Sequence, residues 1–314
     1  MQKKRLPPFF SRSRPTGLTR VGALAVVFLI GVCPLVKSET TQTDYPAEMA
    51  RWHQHRIEGL KKPDGWLSLA GLFWLEPGDN SFGTDAHNKI VFPKGLARIG
   101  RYHLDGKGNI ELRVLPGADV REGGAPVTEL RFSPTEKEGS RMLTWGTLSW
   151  YLILRGGRWG IRLKDSASPA LAHFVDIPTY PVSASWRLNG HFEAYQPGRK
   201  IGVPTALGTV SQEDCPGAVV FDLNGKTYRL DAVKEEDEPR LFVIFADATT
   251  GKGSYPAGRF LYVDPPGPDG HVVIDFNRAY NPPCAFSDFA TCPRPPSQNV
   301  LSLEVTAGEK SYEH

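Results

Sequence analysis

The stretch Ala218-Val-Val-Phe-Asp-Leu-Asn224-Gly225-Lys-Thr-Tyr-Arg-Leu230 decides the fold class, because it places a turn signal between two strand-like runs. Asn-Gly pairs favour tight β-hairpin turns, since both turn positions need positive φ angles that Asn and Gly tolerate. A second pair, Asn189-Gly190, lies between the strand-like residues 185–188 and 191–195. The sequence therefore predicts two hairpins in this half of the chain.

Short strand-like runs continue in both directions from these turns, separated by Gly, Pro and Asn. They cover residues 90–92, 110–115, 127–132, 142–154, 159–163, 240–245, 259–263, 271–276 and 300–305. Asp105-Gly106 marks a further hairpin with a loop of four or five residues. Long helical patterns are missing after residue 62, so a parallel sheet with crossover helices is not expected. The predicted fold class is mainly β, with antiparallel sandwich or barrel-like sheets.

One helix is predicted near the N-terminus, over residues 45–60. The residues Met49, Trp52, Arg56 and Ile57 are spaced for one helical face. Pro46 suits a first turn, and Gly59 with Pro63 marks the end. Prolines near residue 179 mark an internal boundary. The predicted organisation is a signal peptide (1–38), a polar leader and helix (39–62), an N-terminal β half (63–178) and a C-terminal β half with a proline-rich loop (179–314). One large pair of sheets is the alternative to two halves.

Residues 1–38 have the composition of an export signal. A basic start is followed by an apolar run over residues 21–36, and Val36-Lys37-Ser38 has small or aliphatic residues at the usual cleavage offsets. The alternative is an uncleaved anchor, but this run falls short of the ~20 residues that span a bilayer. We therefore expect a periplasmic or extracellular protein with no membrane contact beyond this segment.

The formal net charge of +3 originates in the same segment. Seven of the 37 Lys and Arg residues lie there and no acidic residue does, which leaves 30 basic against 34 acidic residues in the rest of the chain. A slightly acidic chain has no electrostatic reason to bind nucleic acid or an anionic membrane. Neither is expected as a partner.

Polar side chains and prolines concentrate in the run Asp275-Phe-Asn-Arg-Ala-Tyr-Asn-Pro-Pro-Cys-Ala-Phe-Ser-Asp-Phe-Ala-Thr-Cys292-Pro. Prolines restrict the unfolded chain, so a loop of this kind can hold polar side chains in a fixed arrangement when strands anchor it. We predict that it binds a small polar molecule or a protein partner. The predicted ligand-binding residues are Arg162, Tyr255, Arg259, Asn277, Tyr280 and Asn281.

Two of these residues are arginines with alternative explanations. Asp247 or Asp275 would hold Arg259, whose remaining donors could then bind an anionic or hydroxylated ligand. The alternative is that these side chains only hold their loop together. Arg162 has the same strand parity as Arg158 and could line one face with it. A solvated strand face would give the same pattern.

The second hypothesis is an extracytoplasmic hydrolase. Asp247, Asp275 or Glu309 would act as general acid or base, and Arg259 would stabilise the developing charge. The sequence contains no Gly-x-Ser-x-Gly, His-Glu-x-x-His or Cys-x-x-Cys motif, no calcium loop and no dinucleotide fingerprint. We therefore predict no metal and no cofactor, favour binding over catalysis, and leave open whether the protein is an enzyme.

An exported chain would carry Cys215, Cys284 and Cys292 into an oxidising compartment, which favours disulfides. The simplest pairing is Cys284 with Cys292, which closes a short loop and leaves Cys215 free. The chain-entropy relation gives so short a loop at most ~3 kcal/mol of stabilisation. Two alternatives stay open: a metal site, although the spacing matches no zinc pattern, and a reactive thiol at Cys284.

Four segments together resemble the domain-of-unknown-function family 1684. They are Gly65-Trp-Leu-Ser-Leu-Ala-Gly-Leu-Phe-Trp-Leu75, Phe82-Gly-Thr-Asp85, residues 250–259, and the run from Asp275 through Cys292-Pro293. The resemblance covers about residues 63–310. It implies a shared fold and no mechanism, because the family carries no established activity.

Residues 83–93 also resemble the opening of a forkhead-associated phosphopeptide-binding domain. Thr84 stands after Gly83 where that family has Arg, and Gly100-Arg-Tyr-His103 lacks the Ser of the second motif. Phosphopeptide binding is therefore not expected of this chain.

Overall fold

The computed structural model describes residues 44–312. Helix α1 spans Tyr45–Leu60, as predicted, with Pro46 in its first turn and the Asp44 carboxylate accepting from the Ala47 amide at 3.5 Å. No helix within residues 44–312 is long and apolar enough to cross a membrane. The predicted export segment lies outside the described residues.

The rest of the described chain is mostly strand. Strands β1 to β11 are Leu69–Trp74, Gly78–Gly83, Ile90–Val91, Gly100–Leu104, Ile110–Val114, Arg121–Glu122, Ala125–Pro126, Glu129–Phe132, Leu143–Trp145, Leu148–Arg155 and Arg158–Asp165. After the short helix α2, Pro169–His173, strands β12 to β19 are Arg187–Ala194, Lys200–Pro204, Val210–Asp214, Gly217–Leu223, Lys226–Lys234, Leu241–Phe245, Arg259–Val263 and His271–Asp275. The protein is mainly β, which confirms the predicted fold class.

The first eleven strands form two sheets, ordered β1-β11-β10-β9-β6-β7 and β3-β2-β4-β5-β8. Phe82, Tyr102 and Trp150 are fully buried in one hydrophobic cluster to which both sheets contribute. The Trp150 indole N–H donates to the Tyr102 hydroxyl at 2.8 Å, so the polar atoms of both rings are paired inside the core.

The last eight strands form a six-stranded sheet, ordered β18-β17-β16-β15-β12-β19, and the separate hairpin β13-β14. Phe221, Phe245 and Phe276 are buried in its core, and Phe276 packs edge-on against the other two at 5.5 Å. Every sheet thus takes its strands from one side of residue 179. The division of the chain into two structural domains stays a prediction.

The Asn224-Gly225 turn is confirmed. Leu223 pairs with Lys226, and Asn224 and Gly225 have φ angles of +53° and +74°, as a two-residue hairpin turn requires. The Asp105-Gly106 hairpin is also confirmed, because Leu104 pairs with Ile110.

The predicted turn at Asn189-Gly190 is wrong, because both residues lie inside strand β12. Gly190 pairs with Phe221 on one side and Val272 on the other. A Cβ atom on Gly190 would lie 2.5 Å from the Val220 carbonyl oxygen. Glycine is therefore required here because strand β15 approaches closely, and not because the backbone has a positive φ angle.

The predicted strand at residues 300–305 is also wrong. This segment runs beside the end of β17 through a single bridge between Ala246 and Val300 and a hydrogen bond from the Ala248 amide to Leu303. The Asn299 side chain replaces regular ladder bonds by donating to the Ile244 and Asp231 carbonyls. The C-terminal tail is therefore held by a few backbone bonds and by the Asn299 side chain instead of a regular strand ladder, and it leads back to the sheet edge where the candidate site lies.

Candidate functional site

A cavity of about 470 Å³ opens beside helix α1 and the end of β19. We call it the polar cavity, and its defining residues are Glu48, Arg187, Arg240, Tyr262, Asp275 and Arg278. Helix α1 supplies Glu48, and four of the others lie on or just beyond strands β12, β18 and β19. Strand ends are where functional side chains commonly converge.

Asp275 is the best-anchored carboxylate of the polar cavity and is only 8% exposed. Its Oδ1 accepts from the Tyr45 hydroxyl at 2.7 Å and from the Asn277 amide at 3.1 Å. Its Oδ2 is buried and has no hydrogen-bond partner. One oxygen thus fixes the carboxylate while the other is unused.

Arg278 stands beside that unused oxygen. Its Nε lies 3.5 Å from Asp275 Oδ2, is buried, and makes no hydrogen bond. Its Nη2 donates to the Glu48 carboxylate. The polar cavity therefore contains an acceptor and a donor side by side, each with unused capacity.

Two further arginines line the same cavity. Arg187 stacks over the Tyr45 ring at 5.8 Å, and no ion pair joins it to a carboxylate within residues 44–312. Arg240 is held by both oxygens of Glu238 and lies 4.4 Å from the centre of the Tyr262 ring. This wall is suited to anionic groups.

Tyr262 and Tyr280 form an aromatic wall, stacked with ring centres 6.2 Å apart. The Tyr262 hydroxyl donates to Glu235 at 2.6 Å. Burial raises the pKa of both phenols well above the ordinary value of 10.0, so both stay neutral at physiological pH.

Arg56 supports this wall from helix α1, and sequence reasoning gave it no part in the site. Its guanidinium lies 4.9 Å from the Tyr280 ring centre, donates from Nε to Glu309 at 3.0 Å, and donates from Nη2 to the Asn281 carbonyl at 2.8 Å. These partners are more than 220 residues away along the chain, so no local pattern could indicate them.

Glu309 and Asn281 do not line the polar cavity, although both were predicted as site residues. Glu309 is 0% exposed, and its second oxygen accepts from the Asn281 backbone N–H at 2.6 Å. The Asn281 side chain donates to the Lys310 carbonyl at 2.7 Å. Both residues tie the C-terminal tail to the loop after β19, and neither meets solvent.

Asp247 and Arg259 form a separate buried ion pair, with Arg259 Nη2 donating to Asp247 Oδ2 at 2.6 Å. Arg259 is 1% exposed and also donates to the carbonyls of Val305 and Ala307. Contrary to expectation, its η donors hold the tail instead of a ligand. Asp247, which Thr249 also contacts through its amide and hydroxyl, is equally remote from the polar cavity.

Asn277 supports the cavity from behind. Its side-chain amide donates to the Tyr45 hydroxyl at 2.8 Å and to the Ser183 carbonyl at 2.9 Å, and its oxygen accepts from the Ser183 amide. These bonds position Asp275 and Tyr45 without placing Asn277 among the lining residues.

Arg162 and Tyr255 lie elsewhere, next to the cysteines. Arg162 is 3% exposed and donates to Thr291 at 3.0 Å, so the alternative of a solvated strand face does not hold for it. The Tyr255 hydroxyl donates to the Cys284 carbonyl at 2.9 Å. Cys284 and Cys292 are free thiols in the structure, without the predicted bond, but each backbone N–H donates to the other's sulfur.

The predicted residues are therefore divided among three places. Asp275 and Tyr280 line the polar cavity, while Asn277 and Asn281 brace the segment around it. Among the described residues there is no group of three His, Cys, Asp or Glu side chains able to hold a metal ion. The arginines and the orphaned carboxylate oxygen are thus the chemical features of this site.

Fold and site together define a mainly β protein whose polar, arginine-lined cavity is completed by an N-terminal helix. The chain belongs to the family described as "Protein of unknown function (DUF1684)", which matches residues 172–310. This match covers the C-terminal part of the span over which the resemblance was predicted.

Two solved structures are similar to parts of the chain. The solution structure of the uncharacterized protein from gene locus rrnAC0354 of Haloarcula marismortui is 31% identical, with a TM-score of 0.37, over 44% of this chain and 78% of that chain. The forkhead-associated domain of FhaA, crystallised in a complex with the intracellular domain of Rv3910, is 17% identical, with a TM-score of 0.20, over 30% of this chain and 97% of that chain. The comparison with curated proteins gives no match.

Proposed function

We propose that this is an exported binding protein whose polar cavity takes a small ligand carrying both an anionic group and a hydroxyl or ammonium group. The observation that carries the proposal is the adjacent pair of unused buried atoms, Asp275 Oδ2 and Arg278 Nε, in a cavity of about 470 Å³. Cavities that bind small molecules have volumes of roughly 300–1,000 Å³.

The chemistry of the ligand follows from the unused groups. A buried polar atom without a partner costs about 1–3 kcal/mol, and more when it is charged, so a partner from a ligand offsets an existing penalty. Asp275 Oδ2 lacks a donor and Arg278 Nε lacks an acceptor. Arg187 is exposed at the cavity wall, where its guanidinium can donate to the same ligand. A small hydroxy acid or amino acid supplies both partners and an anionic group for Arg187, and the Tyr262 ring offers a face for its apolar part.

The structure gives the hydrolase alternative little support. Of its three candidate carboxylates, Asp247 and Glu309 are buried in ion pairs with Arg259 and Arg56, outside the polar cavity. Asp275 alone of the three lines it, and the candidate charge stabiliser Arg259 does not. We therefore propose binding without a catalytic role.

Export, with a periplasmic or extracellular location, rests on the basic and apolar pattern of residues 1–38. Cell fractionation together with N-terminal mass analysis tests it. We expect a processed chain beginning near residue 39 in the extracytoplasmic fraction. An unprocessed chain in the cytoplasm would overturn this part of the proposal. A Cys284–Cys292 disulfide is proposed for the exported protein.

Binding is tested by a thermal-shift screen of hydroxy acids, amino acids, neutral sugars, inorganic phosphate and alkyl amines, followed by calorimetry. Saturation at 100 times Kd stabilises the native state by about 2.7 kcal/mol, which a melting curve resolves. We expect a shift with compounds that carry both an anion and a donor, and none with neutral sugars or simple amines.

Two variants locate the site. Asp275→Asn removes the charge opposite Arg278 and should weaken binding at least about tenfold, since charged hydrogen bonds contribute roughly 1.5–3 kcal/mol. The matched control is Asp79→Asn. The Asp79 carboxylate forms an exposed ion pair with Arg101, and neither residue lines the polar cavity. If both variants, shown to be folded by circular dichroism, bind like the parent, the polar cavity is not the site.

A further inference from the structure

We propose that Cys284 and Cys292 form a reactive thiol pair that undergoes exchange with low-molecular-weight disulfides, with Cys284 as the attacking sulfur. This goes beyond ligand binding in the polar cavity and beyond a static cross-link. The site consists of this cysteine pair, the buried Arg162, and Tyr255 and Ala206, which donate hydrogen bonds to the carbonyls of the two cysteines.

The backbone holds the two sulfurs together before any bond forms. The Cys284 amide donates to the Cys292 sulfur at 3.1 Å, and the Cys292 amide donates to the Cys284 sulfur at 3.3 Å. This reciprocal pattern places each side chain against the other's backbone. Ring closure therefore needs little further ordering of the chain.

Both cysteines are also anchored through their carbonyls. The Tyr255 hydroxyl donates to the Cys284 carbonyl at 2.9 Å, and the Ala206 amide donates to the Cys292 carbonyl at 2.9 Å. Cys284 lies in the 3₁₀ turn Pro283–Ala285, and Pro293 follows Cys292. The loop thus keeps the thiols adjacent in the reduced protein.

A positive charge lies close to the pair. Arg162 is 3% exposed, donates to Thr291 next to Cys292, and has a buried Nε with no hydrogen-bond partner. The hydrogen bond from the Cys292 thiol, with its backbone N–H and Arg162, lowers the pKa of Cys284 to about 7. The same hydrogen bond and burial raise the pKa of Cys292. A thiolate at Cys284 with a protonated Cys292 is the resulting state.

Exposure also favours Cys284 as the first cysteine to react. Cys284 is partly exposed, whereas Cys292 is 6% exposed. An external disulfide therefore meets Cys284 first. A thiolate is the attacking species in thiol–disulfide exchange, and both access and thiolate fraction set its rate.

The reaction balances with a small disulfide R–S–S–R as oxidant. The Cys284 thiolate attacks one sulfur, forms Cys284–S–S–R and releases R–S⁻. The Cys292 thiol then loses its proton, and its sulfur attacks the Cys284 sulfur. The second R–S⁻ leaves and takes up that proton. Two electrons pass from the cysteine pair to the external disulfide, and one internal disulfide results.

Oxidised glutathione is the probe for this proposal. The full chain, reduced and freed of reductant, is incubated with it and examined by intact mass and peptide mapping, which assigns each modified cysteine. We expect the parent to lose two hydrogen atoms from the Cys284–Cys292 pair and to retain no glutathione on either of these cysteines. Cys292→Ser should trap glutathione on Cys284, and Cys284→Ser should react at least about tenfold more slowly than the parent.

Two controls separate this pair from general thiol reactivity. Cys215→Ser changes a buried cysteine outside the pair and should behave like the parent. Timed alkylation of the unmutated chain gives a second reading that does not depend on how variants fold. We expect Cys284 to be labelled before Cys292. Its labelling rate should reach half of its maximum at a pH below ~8.5, the pKa of a free thiol. Equal labelling of Cys284 and Cys292, or a parent that retains glutathione on either of these two cysteines, would overturn the proposal.

Discussion

Arg56 shows at the scale of one residue how the chain ends are connected. It reaches from α1 to Glu309 and to the loop after β19, and it packs against the Tyr280 ring. Its side chain is 17% exposed, whereas that of Glu309 is fully buried. Removing the cation would leave a buried carboxylate without its charged partner.

Arg56→Ala is therefore expected to destabilise the protein by about 3 kcal/mol, because breaking a buried ion pair leaves an uncompensated charge. Urea unfolding followed by tryptophan fluorescence measures the change. Arg51→Ala is the matched control: it removes an exposed arginine of the same helix and should alter the free energy of unfolding by less than about 0.5 kcal/mol. Equal effects of the two substitutions would contradict this role for Arg56.

Helix α1, near the N-terminal end of the described chain, contacts two residues of the C-terminal half that line the polar cavity. The family match begins at residue 172, yet Tyr45 and Glu48 of α1 contact Asp275 and Arg278 in the polar cavity. The six-stranded sheet alone would leave these two groups without those partners. The polar cavity is thus assembled from segments at opposite ends of the described chain.

The hairpin at Asn224-Gly225 is the element for which local sequence and structure agree most closely. Gly225 has a φ angle of +74°, and no atom lies within 4 Å of the position that a Cβ atom would occupy, so backbone conformation alone decides the cost of a side chain there. Gly225→Ala should lower the free energy of unfolding by about 1–2 kcal/mol, the cost of a left-handed residue with a Cβ.

Gly106→Ala is the control for that prediction, because Gly106 also sits in a hairpin loop with open space but without a positive φ angle. It should leave the urea midpoint unchanged or raise it slightly, since alanine restricts the unfolded chain. A similar loss in both variants would show that the loop position, and not the φ angle, sets the cost.

The whole molecule is expected to lose stability at alkaline pH. Burial raises the pKa of Tyr255 from 10.0 to about 12, and it raises those of Tyr45, Tyr262 and Tyr280 further. Phenols of the unfolded chain ionise near pH 10. The unfolded state therefore loses protons first, so this stability is complete below pH ~10 and declines as the pH rises through the folded values.

Two measurements check this at the scale of the molecule. Urea midpoints should fall as the pH rises above about 10, and the tyrosinate absorbance of the native chain should appear at higher pH than that of the urea-unfolded chain. Coincident titrations of the two states would show that these phenols are not protected by the fold.

The prolines and polar residues after β19 indicated a segment that borders the polar cavity, but not the roles of its individual residues. Asp275 and Tyr280 line the polar cavity, whereas Asp247, Arg259 and Glu309 are paired inside the protein. Sequence spacing shows that charged groups are present near one another along the chain. It does not show which charged side chain forms an ion pair with a residue distant in the sequence. That pairing decides whether the side chain stabilises the fold or is available to a ligand.

Composition and local patterns by themselves determined the mainly β class, helix α1 and the Asn224-Gly225 turn, because turn geometry and helix ends depend on a few neighbouring residues. Tertiary structure alone decided that Gly190 is a strand residue, that α1 completes the polar cavity, and that the Cys284 thiol lies near Arg162. The physical reason is that close strand approach, charge pairing and burial each depend on residues far apart in the chain.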